Sequence, residues 1–478
     1  MAKKREQTMP FEPTLDSVRQ HQVPDWFHDA KLGIFIHWGL YSVPAWAPHG
    51  GDIDQQVAEK GWEAMFANNP YAEWYLNSFR NGDTPTRRHH LDTYGNNFSY
   101  DDFAPQFNQA VANWNPDTWA ALFKRAHAGY AVLTTKHHDG FLLWNSARTS
   151  PKKPAGYATT RDLVGELTDA VRAHGMRMGL YYSGGLDWSF EQRPVRNFID
   201  VYSTIVQTPE FVEYADFHFR ELIERYQPSI LWNDIGYPAG ADPIKLFADY
   251  YNAVPDGLVN DRWSQTVPAE ERIPKPGEPI GPPPSAHSDY TTPEYGSYKE
   301  ILPHKWEATR GIGHSFGYNQ NEGESDYLAS DVLIRMFADI VSKNGNLLLD
   351  VGPMADGTIP AMQVERLDAL GAWLDVNGAA IFGTRPYTRA EGTTTADLGV
   401  RFTRKGDTAY AILMGTPAES NLSVVGLRAA DGTTVRLLGH AAPLTWTQDG
   451  DNLTVTLPPG IKPDAAHTLE IQPAPTSV

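Results

Sequence analysis

At five places in the chain a short apolar run ends abruptly on His, Asp, Trp or Tyr. Gly33-Ile34-Phe35-Ile36 runs into His37-Trp38, and Tyr130-Ala131-Val132-Leu133 leads to Lys136-His137-His138-Asp139. Met176 to Leu180 precedes Tyr181-Tyr182-Ser183, Ser229-Ile230-Leu231 precedes Trp232-Asn233-Asp234, and Asn346 to Leu349 ends at Asp350. Runs of this length bounded by Gly or Pro read as fully buried strands. Polar chemistry confined to their C-terminal ends points to a (β/α) barrel, whose active site lies on that face.

Helical patterns alternate with these runs. Asn115-Pro116-Asp117 is a cap-then-proline start, followed by Trp119, Leu122, Phe123 and Ala126 on one face. Further helices are predicted from Asp162 to His174, Phe211 to Tyr226, Ser330 to Val341 and around Val364 to Leu374. Strand signals near Leu258 and Trp306 are weaker because more charge is present, and no eighth strand can be placed. From about Pro386 the pattern changes to short alternating strands separated by Gly-Asp turns. The predicted architecture is α/β, a (β/α)8-like TIM barrel over residues 1–385, followed by an antiparallel β-sandwich over 386–478. Residues 264–288 hold seven prolines and cannot be regular structure; a loop of this length between two strands is expected at the active site.

Composition narrows the function classes. The net charge of -18 repels phosphate backbones and acidic lipid, so neither nucleic acid nor membrane is an expected partner. Cysteine is absent, which excludes disulfides, thiolate metal sites and cysteine nucleophiles and fits a cytoplasmic protein. The first 23 residues contain no apolar stretch of signal-peptide length. A homo-oligomer is compatible with all of this.

Asp234 is the strongest catalytic candidate by position. A carboxylate at a barrel strand end, beside aromatic residues, suits a nucleophile or base acting on a sugar; it equally suits a structural cap of a βα turn. His37, His137 and His138 invite a metal reading, since imidazole is a common zinc ligand. Adjacent histidines on a strand point to opposite faces, however, and no HExxH-type spacing appears. Neither a metal nor another cofactor is therefore expected, and the histidines are read as hydrogen-bonding groups. Gly313-His314-Ser315-Phe316-Gly317 matches the nucleophile elbow of serine esterases, but its flanks lack the required strand and helix.

Several of these segments carry a family resemblance. Gly33-Ile-Phe-Ile-His-Trp-Gly39, Tyr71-Ala-Glu-Trp-Tyr75, Lys136-His-His-Asp-Gly140, Tyr181-Tyr-Ser-Gly-Gly-Leu-Asp-Trp188 and Trp232-Asn-Asp-Ile-Gly-Tyr-Pro238 closely resemble the alpha-L-fucosidases of glycoside hydrolase family 29. Asn260-Asp-Arg-Trp263, Lys305-Trp306 and Gly345-Asn-Leu-Leu-Leu349 continue the match in the family's order. The resemblance implies a retaining exo-hydrolase that removes terminal alpha-L-fucose from glycans or glycosides, with Asp234 as nucleophile. It implies fucose-binding roles for His37, Glu73, Trp74, His137, His138 and Tyr181, and a pocket also lined by Trp232 and Arg262. The family's acid/base position falls on Glu294. The proline-rich stretch is inserted just before it, which makes Glu270, Glu271, Glu278 and Asp289 rivals. The alternatives are a fucose-binding protein without turnover, or an esterase using Ser315.

Overall fold

The computed structural model describes residues 10–478 apart from 52, 270–272 and 276–280. Seven parallel strands form one curled sheet: β1 (Leu32–Ile36), β2 (Tyr130–Lys136), β3 (Arg177–Ser183), β4 (Ile230–Asp234), β5 (Leu258–Val259), β6 (Trp306–Gly311) and β7 (Gly345–Val351). Their order is β5-β4-β3-β2-β1-β7-β6. All five apolar runs are strands in this sheet, and the weaker signals near Leu258 and Trp306 are strands as well.

Strand alternation divides the apolar residues into two sets. Phe35, Val132, Tyr181, Ile230, Trp232, Leu258 and Leu348 cluster on the concave side. Ile34, Leu133, Leu180, Leu231 and Leu349, one residue out of phase, join the larger core outside the sheet with the helices. The helices follow the expected punctuation. Pro116–Arg125 is capped by the Asn115 side chain, Leu163–Ala173 by Asp162 and Pro209–Tyr226 by Thr208. Ser330–Ser342 precedes β7. The Pro243–Ala253 helix, capped by Asp242, was not anticipated.

The eighth position of the barrel is filled without a regular strand. Residues 289–295 run between the free edges of β5 and β6. Asp289 N–H donates to Val259 O; on the other side Thr291 N–H donates to Lys305 O and Thr291 O accepts from Glu307 N–H, while Thr309 N–H donates to Pro293 O and Thr309 O accepts from Tyr295 N–H. Side chains complete the join to the chain after β5: Asp261 Oδ1 accepts from the Thr292 N–H and hydroxyl, and Asp289 Oδ2 accepts from Val259 N–H. Tyr290 joins the concave cluster, as a residue of an eighth stave should. Pro293 lacks an N–H and breaks the ladder, which is why no strand signal reached this segment.

From Arg385 onward the chain is antiparallel, in a six-stranded and a three-stranded sheet around a separate apolar cluster of Val400, Phe402, Leu413, Val455 and Leu469 among others. Trp373 Nε1 donates to Ala466 O and joins this part to the barrel's last helix, Ala361–Asn377. Among the described residues no helix is long and apolar enough to cross a membrane.

Candidate active site

The C-terminal ends of the strands open into one pocket. Asp234, Glu294, His37, Glu73, Trp74, His137, His138, Tyr181, Trp232 and Arg262 all line it. Gly281 and Pro282, from the proline-rich stretch, line it too. Of the rivals to Glu294, Asp289 is buried away from the pocket, bonded to His21, Tyr251 and Val259. Glu270, Glu271 and Glu278 lie outside the described residues.

Asp234 is the last residue of β4, and Ile235 after it adopts a positive φ of 50°. That conformation is strained for a β-branched residue, and it brings the Ile235 N–H onto Asp234 Oδ1 at 3.0 Å. The same oxygen accepts from Arg262 Nη1 at 3.0 Å, and Oδ2 accepts from the Tyr181 hydroxyl at 2.8 Å. Burial raises the pKa of Asp234, Arg262 opposes this, and the charge of Glu294 adds to the rise.

Arg262 is the hinge of the site. Its Nη1 also contacts Glu294 Oε1 at 2.6 Å, its Nε donates to Thr292 Oγ1 and its Nη2 to Thr292 O. One guanidinium therefore fixes both carboxyls and grips the eighth stave. The two carboxylate oxygens can lie no further apart than those contacts laid end to end, about 5.6 Å. Retaining glycosidases hold their carboxyls about 5–5.5 Å apart and inverting ones about 6.5–9.5 Å. Arg262 also sits 4.8 Å over the Trp232 ring.

The three histidines are buried. Burial lowers His37 to about 3 and takes His137 and His138 well below the ordinary imidazole value. His37 Nδ1 is 2.6 Å from Asp350 Oδ1, so Nε2 is the nitrogen left for the pocket. The Ser183 hydroxyl donates to Leu186 O and so accepts from His138 Nδ1, which makes His138 Nε2 an acceptor. The opposite-face argument for His137 and His138 fails, because β2 ends at Lys136. Both residues lie in the following turn, with ring centroids 3.9 Å apart. Even so, no group of three His, Asp or Glu side chains among the described residues is arranged to hold a metal.

Glu73 comes from a short turn, Ala72–Trp74, in the long excursion after β1. Its Oε2 accepts from the Gly317 N–H at 2.8 Å and lies 3.3 Å from Ser315 Oγ; burial pushes its pKa up to about 7. Ser315 is a scaffold rather than an elbow. Its hydroxyl accepts from the Ala72 N–H and donates to Gly317 O, and no helix follows it. The sequence offers Ser315 only as a rival esterase nucleophile and gives no role to Asp350 or to Phe316, which lines the pocket 5.0 Å from the His37 ring. Asp350 was visible as a strand-end carboxylate, whereas nothing local marks Ser315 as a support for Glu73.

Paired carboxyls on one arginine, at the foot of an aromatic pocket at the barrel's C-terminal face, define a glycoside hydrolase. Sequence models described as "Alpha-L-fucosidase" and "Alpha-L-fucosidase C-terminal domain" match residues 1–379 and 393–472. The alpha-L-fucosidase of Branchiostoma floridae is 34% identical over 94% of this chain and 92% of its own. The Thermotoga maritima alpha-fucosidase is 42% identical in its complex with a mechanism-based inhibitor, with a TM-score of 0.83 over 97% of this chain and 100% of that one. Its complex with fucose is 41% identical, with a TM-score of 0.82 over 96% and 100%. The chain belongs to the alpha-L-fucosidase family.

Proposed function

We propose that the chain hydrolyses terminal alpha-L-fucosides by double displacement, with Asp234 as nucleophile and Glu294 as acid/base. The reading rests above all on the shared contact of both carboxyls with Arg262 Nη1. Asp234 attacks the anomeric carbon while Glu294 gives its proton to the glycosidic oxygen, and the aglycone leaves. Glu294, now ionised, takes a proton from water, which attacks the same carbon and frees fucose and Asp234. Arg262 and the Tyr181 hydroxyl hold the Asp234 carboxylate in its ionised form.

His37, His138 and Glu73 offer acceptors to the fucose hydroxyls, and Trp74, Tyr181 and Trp232 give the apolar faces that a methylated pyranose buries. In this scheme the histidines bind hydroxyls, so dialysis against EDTA leaves turnover unchanged. The lack of cysteine supports a reducing compartment, and we place the enzyme in the cytoplasm on that ground. The test is turnover of an aryl alpha-L-fucoside followed by NMR at early times. Alpha-L-fucose is expected first; beta-fucose appearing first, or fucose binding without turnover, overturns the assignment.

A further inference from the structure

Five aromatic rings run along one side of the pocket. Trp74, on the fucose side, lies 5.7 Å from Phe66; Phe66 lies 6.3 Å from Trp62, Trp62 lies 5.1 Å from Phe198, and Phe198 lies 5.7 Å from Tyr202. All five line the same pocket. At the far end Tyr202 lies within electrostatic reach of Arg262, Asp234 and Glu294. The arc thus begins in the proposed sugar site and follows the wall of the pocket that also holds Asp234 and Glu294.

Its rings come from parts of the chain that contribute none of the proposed catalytic groups. Trp62 and Phe66 lie on the helix Ile53–Ala67, and Phe198 and Tyr202 on the helix Phe198–Ser203 after β3. The proline-rich stretch reaches the same wall twice. Gly281 and Pro282 line the pocket, and Ile273 shares a surface hollow with Trp62 and Phe198 on the outer side.

We propose that the four rings beyond Trp74 are the aglycone subsite and that they select leaving groups with a flat, apolar face over polar sugar residues. The inference deepens the fucosidase reading and rests on it. Aromatic faces favour contact with another flat apolar surface. A second sugar would bring several hydroxyls out of water, each needing a partner. Beyond Trp74 the side chains of the arc supply only one indole N–H and one hydroxyl, and Gly281 and Pro282 supply no polar side-chain atom.

The experiment compares benzyl alpha-L-fucoside with 2-methoxyethyl alpha-L-fucoside, whose leaving oxygens have similar acidity, and with a fucosyl-galactose disaccharide. Wild type is expected to cleave the benzyl fucoside with kcat/KM about tenfold or more above the other two. Trp62→Ala and Phe198→Ala are expected to remove that preference while the inhibition constant of free L-fucose stays within about twofold of wild type. Trp62→Leu keeps apolar bulk without a ring and gives the same result if the alanine variant fails to fold. The proposal is overturned if wild type shows no benzyl preference, if the variants lower all three substrates equally, or if L-fucose inhibition weakens with them. Failure of wild type to cleave any fucoside overturns the fucosidase reading itself.

Discussion

Two neighbours of β5 each deliver one carboxyl to Arg262, and they are built differently. β4 is a regular strand, buried throughout, paired with β3 from Gly179↔Ile230 to Ser183↔Asp234, and it fixes Asp234 by backbone register. The 289–295 segment pairs with β6 only at isolated bridges and is tied to the β5 side mainly through Asp261, Arg262 and Asp289. The contrast suits the proposed roles. A nucleophile must meet the anomeric carbon at one distance and angle, and a strand end held by ladder hydrogen bonds gives that placement. An acid/base must pass its proton to the leaving oxygen and take another from water, and a backbone held by side chains leaves its carboxyl that freedom.

If Asp234 carries the covalent step, Asp234→Ala loses several powers of ten in kcat while its thermal transition stays cooperative. Exogenous azide restores part of the rate by taking the place of the missing carboxylate. Wild-type turnover in the folded variant removes β4 from the comparison altogether.

Glu294→Ala separates the two staves by chemistry. Good leaving groups depart without a proton, so the variant keeps most of its first-step rate on a dinitrophenyl fucoside. On a fucosyl-oligosaccharide it loses about 10²–10⁴-fold. Equal losses on both substrates would mean that Glu294 does not protonate the leaving oxygen.

Arg262→Lys sharpens the comparison further. Lysine keeps a cation near Asp234 but loses the fork that holds Glu294 and both contacts to Thr292. The expected loss is about tenfold or more, and it falls mostly on poor leaving groups, as for Glu294→Ala. Losses independent of the leaving group would show that the arginine serves Asp234 alone.

The same contrast explains what was legible in the chain. β1 to β4 and β7 are buried on both faces, so each is an apolar run that needs no tertiary information to read. The eighth stave holds Asp289, Thr291, Thr292 and Pro293, residues that would not be expected in a buried strand, because here side-chain contacts replace ladder bonds. Glu73 lies outside the strand pattern altogether and was reached only through family resemblance. The aromatic arc has no signal at all, since its rings come from helices separated by more than a hundred residues.

Glu73 also gives the pocket a measurable pH signature. Its carboxyl is pushed from 4.5 to about 7 by burial. Between those values the folded chain holds a proton that the unfolded chain has released. The contribution of this carboxyl to stability therefore falls as pH rises through the window, by at most about 1.4 kcal/mol per pH unit for one proton. Glu73→Gln removes its share of the slope, leaving those of Asp139, Glu307 and Glu322, which burial also raises. An unchanged stability profile between pH 4.5 and 7 would mean that Glu73 is not the group that titrates.

The smallest effect is expected at Ser315. Its hydroxyl takes the Ala72 N–H at 2.9 Å and gives its proton to Gly317 O at 2.6 Å, and both neighbours touch Glu73, one by chain connection and one by hydrogen bond. Ser315→Ala leaves the buried Ala72 N–H without a partner, which costs about 1–3 kcal/mol of stability. Glu73 then sits less firmly, and a group that binds ground state and transition state alike raises KM rather than lowering kcat. A several-fold rise in KM for the fucoside, with kcat within about twofold, is the expected result. An ester nucleophile would behave in the opposite way: the alanine variant would lose kcat on phenyl acetate and no acyl-enzyme burst would remain. Loss of kcat on an ester with the fucoside KM unchanged would return Ser315 to the role its Gly-His-Ser-Phe-Gly context resembles.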